Sequence, residues 1–188
     1  MPRPARPRLP RPRPTNALNC RVPCAGRLST IPLPAGMDRS NFSVALDVWP
    51  EYLSVGAVRF ARPTARFDEV VAFYRDDLGL AVLAQWRDHD GYDGAVFGLP
   101  GAGVQLEITQ HGSPPMIPPP HPENQLVLYL RGEQALRGMA ARLTGRGHRP
   151  VAPANPYWAR SGAVLFADPD GWLVVLTPWV FGEPLPAE

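Results

Sequence analysis

Val96-Phe97-Gly98-Leu99-Pro100-Gly101-Ala102-Gly103-Val104-Gln105-Leu106-Glu107-Ile108-Thr109 and Leu165-Phe166-Ala167-Asp168-Pro169-Asp170-Gly171-Trp172-Leu173-Val174-Val175-Leu176-Thr177 spell the same pattern twice. Each is an apolar strand, a Pro/Gly turn and a second strand closing on Thr. A repeated supersecondary unit predicts a fold built from two copies of one module. Superposing the copies makes Glu107 and Val175 equivalent, each two residues before its Thr. One half offers a carboxylate where the other offers an isopropyl group.

Outward from the first copy, the chain reads βαβββ. Val58 to Arg62 is a short strand stopped by Pro63. Phe67 to Leu78 has apolar residues at helical spacing and ends at Gly79. Leu80 to Trp86 is strand-like, and Asp88-His89-Asp90-Gly91-Tyr92-Asp93-Gly94 is a turn leading into Ala95-Val96-Phe97. From Gly103 to Gln110 the residues alternate. Val104, Leu106 and Ile108 take one face; Gln105, Glu107 and Thr109 take the other, and His111 shares the parity of Glu107. The second copy is framed likewise: strand Leu126–Leu130, helix Glu133–Leu143 ending near Gly145, a short edge strand at His148–Val151, then the repeated hairpin. Pro153-Ala154-Asn155-Pro156-Tyr157-Trp158 stands where the first half has its Asp88–Gly94 turn. The predicted fold class is α+β, with module one over 55–112, a Pro-rich linker over 113–124 and module two over 125–181, together a single domain over 55–181.

Residues 1–54 differ in kind. Met1 to Pro14 alternates Pro and Arg, which denies both helix and sheet ladders and repels itself, so an extended or disordered segment and linker is expected. It lacks the apolar core of a signal peptide, and its prolines forbid an amphipathic transit helix. Met37 is a candidate translation start. Residues 182–188 read as a tail. The 188 residues are 45% hydrophobic with a net charge of +2, and the basic excess lies in the first dozen residues, so no nucleic-acid partner is expected. No run is long enough for a membrane helix. Both cysteines, Cys20 and Cys24, precede the modules, where no second pair completes a metal site; a cysteine-free domain suits a cytoplasmic protein. There is no G-x-S-x-G, P-loop or dinucleotide fingerprint, and the Gly98–Gly103 stretch joins two strands rather than opening a helix.

Phe73-Tyr74 followed by Leu78-Gly79-Leu80, and Asp168-Pro169-Asp170-Gly171-Trp172 near the C-terminus, resemble the vicinal oxygen chelate superfamily. This group includes glyoxalase I, extradiol dioxygenases, fosfomycin-modifying enzymes and bleomycin-resistance proteins. The Asp90–Gly94 turn and Asn155-Pro156-Tyr157-Trp158 further resemble its YycE-like bacterial subgroup. The resemblance implies two βαβββ modules forming an open half-barrel around a central cleft. It also implies a divalent metal held from four strand positions, which fall on Arg59, Glu107, Gln125 and Val175. Arginine stays protonated and has no lone pair to give, valine has no donor atom, and one carboxylate with one amide is a poor cage. No metal or other cofactor is therefore expected. Arg59 is expected to replace the ion as a fixed positive charge within hydrogen-bond reach of Glu107, with Glu107 and the Gln125 carbonyl oxygen accepting its hydrogen bonds.

The expected function is metal-independent binding of a small molecule between the modules. The alternative is a metal-dependent or metal-relocated enzyme of glyoxalase type: a lyase, isomerase or dioxygenase. Candidate ligand-binding residues are Arg59, Glu107, Gln125, His89, Tyr92, Tyr157 and Trp158. Tyr157 and Trp158 would line a pocket wall or plug the barrel's open end. Glu107 and His111 are the candidate catalytic groups. A homodimer that exchanges modules across the stiff Pro118-Pro119-Pro120 run is conceivable.

Overall fold

A computed structural model describes residues 55–99, 103–113 and 116–179; the expectations for residues 1–54 and 182–188 lie outside them. The element order is β1 (Val58–Pro63), α1 (Phe67–Ala72), β2 (Ala81–His89), β3 (Tyr92–Gly98), β4 (Val104–His111), β5 (Gln125–Tyr129), α2 (Glu133–Gly145), β6 (Pro150–Val151), α3 (Pro156–Arg160), β7 (Val164–Ala167) and β8 (Leu173–Thr177). Two four-stranded mixed sheets result, ordered β1-β4-β3-β2 and β5-β8-β7-β6. In each, the first strand lies parallel to the last, and the remaining pairs are antiparallel. This is the predicted pair of βαβββ modules. Their register makes the repeat quantitative. Arg59 pairs with Gln105 and Ala61 with Glu107, just as Gln125 pairs with Leu173 and Val127 with Val175.

Pairing across strands also sorts the side chains into faces. Phe60, Arg62, Leu106, Ile108, Ala95 and Phe97 share the helix side of the first sheet, and Leu126, Leu128, Val174, Leu176, Phe166 and Val164 share that of the second. Residues from both helix sides join one hydrophobic core with α1 and α2. The opposite faces each point away from that core. On the second sheet this outer face carries its own small cluster, Leu165, Leu173 and Val175 under Trp158.

Local chemistry explains the departures from the predicted elements. Strand β2 runs on to His89, because the reversal needs only Asp90-Gly91, both at positive φ (53° and 82°). That is the two-residue hairpin geometry Asp-Gly favours. After Ala72 the helix widens into a single π-helical turn, Phe73–Asp77, closed by Leu78 N–H donating to Phe73 C=O at 2.8 Å. Tyr157 and Trp158 sit on a short helix, not a loop. Asn155 stays extended and its Oδ1 accepts from Tyr157 N–H at 2.9 Å, with Pro156 at the first helical position. This is an N-cap with proline just inside the start.

The family-like motifs turn out to join the modules. Asp168 Oδ1 accepts from the backbone N–H groups of Asp170 (2.9 Å) and Trp172 (3.0 Å), shaping the β7–β8 turn, where Gly171 takes φ of 90°. Its other oxygen, Oδ2, accepts from Tyr74 Oη at 3.0 Å and from Arg62 Nη2. Arg62 Nη1 reaches Asp170 at 2.8 Å. The Arg62 and Asp168 side chains are 2% and 0% exposed. The guanidinium also packs over the Tyr74 and Trp172 rings. Burial by itself lowers the Arg62 pKa, but Tyr74, Asp168 and Asp170 outweigh it and the net shift is upward. Burial, then the Asp168 charge, pushes the Tyr74 hydroxyl far above its ordinary value, so it stays a proton donor. One carboxylate thus folds a turn of module two and clamps module one.

Candidate functional site

The outer face of the first sheet gathers most of the predicted site residues. On β1 and β4, Arg59 and Glu107 point to the same side, and Arg59 Nη1 donates to Glu107 Oε2 at 3.3 Å. Arg59 Nε donates to Gln105 Oε1 at 3.1 Å. The guanidinium is 49% exposed and the carboxylate 15%. A half-covered anion therefore fixes a cation whose remaining N–H groups meet solvent. Such a fork suits a carboxylate or carbonyl oxygen.

Farther along the same face, Thr109 and His111 continue the parity of Glu107, and Tyr92 pairs with His111 across β3. Their rings meet edge-on, centroids 4.8 Å apart. With Pro63, Thr64, Ser113 and Ile117 these three line a cavity of about 400 Å³. His111 Nδ1 lies 3.1 Å from Ser113 C=O and 3.2 Å from Ser113 N. Trp86 lies flat over Gly94, where an added Cβ would fall 1.9 Å from the indole; only glycine leaves room for that aromatic wall. His89 ends β2 beside Asp90, 77% exposed, and joins none of these contacts.

The module-two candidates form a separate group. Gln125 lies on the outer face of its own sheet, where Oε1 accepts from Trp158 Nε1 at 2.7 Å, and Nε2 donates to Pro122 C=O at 3.0 Å. The expectation that the Gln125 carbonyl supports Arg59 is not met, because Trp158 holds it. Val175 is fully buried in the cluster that Trp158 covers, so Trp158 plugs this face instead of leaving it open. The Tyr157 ring packs on Trp158 and Trp179. Gln105, the partner of Arg59, and Gln125 line one cavity between the modules, but among the described residues no hydrogen bond joins Arg59 or Glu107 to Gln125 or Trp158.

The four positions do not fit a divalent ion as they stand. The only anionic donor, Glu107, is bonded to a guanidinium, the amide oxygen is taken, and valine offers nothing. Among the described residues, no group of three His, Cys, Asp or Glu is placed to hold a metal. The residue missed by sequence reading is Arg62. Its signal was an arginine at the parity of Phe60 on an apolar face, requiring acidic partners that lie more than 100 residues away.

The sequence matches the model of the YycE-like N-terminal domain over residues 58–109 and that of the YycE-like C-terminal domain over residues 123–178. It is 41% identical over 118 residues to the YycE protein of Bacillus subtilis (strain 168), covering 63% of this chain and 84% of the relative. A 2.0 Å crystal structure of a Bacillus subtilis YycE protein of unknown function is similar at TM-score 0.65 and 36% identity, covering 71% of this chain and 98% of that one. Leishmania major glyoxalase I shares the fold at TM-score 0.50 and 16% identity, over 63% of this chain and 83% of that enzyme. Two βαβββ modules, their D-P-D-G turn and these matches together place the chain in the YycE-like family of the vicinal oxygen chelate superfamily.

Proposed function

We propose that this protein binds a small molecule bearing a carboxylate or carbonyl oxygen on the outer face of its first module, without a metal ion. The observation that carries the reading is the Arg59–Glu107 pair, a fixed guanidinium at the superfamily's metal position with nearly half its surface open. A permanent cation offers the charge a metal would supply and needs no ligand cage. The Trp86 indole and the Tyr92–His111 cavity supply apolar contact beside it.

In this reading a homodimer that exchanges modules across the Pro-rich linker brings Gln125, Tyr157 and Trp158 of a second copy opposite Arg59. No helix among the described residues is long and apolar enough to cross a membrane.

Calorimetric titration with a panel of small carboxylates and planar carbonyl compounds tests the reading. A compound that binds wild type should lose about tenfold or more in affinity in Arg59→Met, the size of one charge-assisted hydrogen bond. Light scattering should give twice the chain mass. Binders unaffected by Arg59→Met would contradict the assignment.

A further inference from the structure

Each sheet leaves its first strand as an edge, β1 in one and β5 in the other. Residues of both edges border one cavity of about 400 Å³. Its lining comes from both sides of the strands. Gln105, Gln125 and Leu173 belong to the outer faces; Phe60, Leu106 and Leu126 belong to the helix side. The cavity is therefore a seam through the wall between the modules, running from the face that carries Arg59 toward the core. Its outer end adjoins the site proposed above, because Gln105 Oε1 accepts from Arg59 Nε at 3.1 Å.

Most polar groups along the seam are already bonded within the protein. The Gln125 amide is held by Trp158 and by Pro122 C=O. Tyr74 Oη donates to Asp168, and the terminal nitrogens of Arg62 reach Asp168 and Asp170. Inside the rim a guest meets hydrocarbon from Phe60, Leu99, Val104, Leu106, Leu126 and Leu173. The Trp172 ring is already covered by the Arg62 guanidinium, 5.2 Å from its centroid, and by the edge of Phe60. A flat ring thus has little to stack on, whereas a flexible chain can follow the side chains. Glu123, exposed at the rim, repels a carboxylate from the seam and leaves the neutral end of a molecule to enter.

We infer, building on the Arg59 reading above, that the molecule bound there is a straight-chain aliphatic carboxylate. Its head sits on the open N–H groups of Arg59 and its alkyl tail lies in the seam. The guanidinium fork selects the head by charge and geometry. The seam selects the tail by area buried, about fourfold in affinity for each methylene taken from water.

Calorimetric titration of the full-length protein with butanoate, hexanoate, octanoate and decanoate separates the two contacts, with octan-1-ol and octylammonium as probes of the head. Affinity should rise about fourfold per methylene, and octanoate should bind about tenfold or more tightly than either other eight-carbon probe. Arg59→Met should weaken every carboxylate by a similar factor and keep the dependence on chain length. Val104→Trp places a ring in the seam from a side chain that is 45% exposed. It should keep the wild-type circular dichroism spectrum and lower octanoate to the affinity of butanoate. Equal affinity for butanoate and decanoate, with Arg59→Met still weakening both, would overturn the tail assignment and leave the Arg59 reading standing. Octanoate binding indifferent to Val104→Trp would also overturn it. A chain-length dependence that Val104→Trp abolishes and Arg59→Met leaves untouched, with octan-1-ol bound as tightly as octanoate, would overturn the Arg59 reading and the choice of a carboxylate with it.

Discussion

Replacing Arg62 by Met should damage this protein far more than the same change at Arg59, although both arginines sit on β1 and both pair with carboxylates. Met keeps most of the aliphatic stem and removes the charge. At position 62 it leaves Asp168, whose side chain is 0% exposed, as a buried anion without its cation. Breaking such a pair costs about 3–5 kcal/mol. Asp168 would still hold Tyr74 Oη and two backbone N–H groups, which puts the cost near the lower end, about 3 kcal/mol. That is roughly a 150-fold change in the folding equilibrium and a fall of about 10 °C in Tm for a domain of this size. Arg59→Met breaks a solvent-exposed pair and should cost at most about 1 kcal/mol. The assay is urea denaturation followed by circular dichroism at one fixed protein concentration, with Asp168→Asn as the second arm. Asn keeps the turn-forming oxygen and removes the stranded charge, so the double variant should be more stable than Arg62→Met alone. If Arg62→Met costs no more than Arg59→Met, the clamp between the modules is not what the contacts say.

Three further outcomes follow from single contacts. Gly94→Ala should push the Trp86 indole off its face at a cost of about 1–3 kcal/mol, read as a change in tryptophan emission and near-ultraviolet circular dichroism. Trp158→Ala should cost about 3 kcal/mol in urea unfolding, because it uncovers Leu165, Leu173 and Val175 and strands the Gln125 carbonyl. The backbone N–H of Asp88, then Arg87, holds the Asp93 carboxyl below its ordinary value of 3.8. A depressed folded-state pKa contributes stability that is fully present above the unfolded value and lost as pH falls through the folded one. Asp93→Asn should therefore flatten the loss of stability below pH 4 while leaving its slope near neutrality unchanged.

The repeat explains how much of this molecule could be read beforehand. Period-two alternation put Glu107, Thr109 and His111 on one face, and the superfamily resemblance put Arg59 and Glu107 at two of its ligand positions; the 3.3 Å contact follows from strand register. Three features escaped for different physical reasons. Alternation fixes which residues share a face of one sheet, but not which faces of two sheets pack together, so the separation of Arg59 from Gln125 was not visible. Trp158 reaches Gln125 from a helix of only five residues, too short for periodicity to register, though Asn155-Pro156 carried a capping signal. Arg62 was the clearest missed hint. An arginine sharing parity with Val58 and Phe60 conflicts with an apolar face unless a distant anion answers it, and the D-P-D-G turn held that anion.

The most direct test of the claim that a guanidinium stands in for the metal is to add Mn²⁺, Ni²⁺, Zn²⁺ and Fe²⁺ separately to the purified full-length protein, desalt it and measure metal per chain by mass spectrometry. The account predicts well under one bound ion in ten chains for every metal, unchanged in Glu107→Ala. A stoichiometric ion that disappears in Glu107→Ala would contradict it.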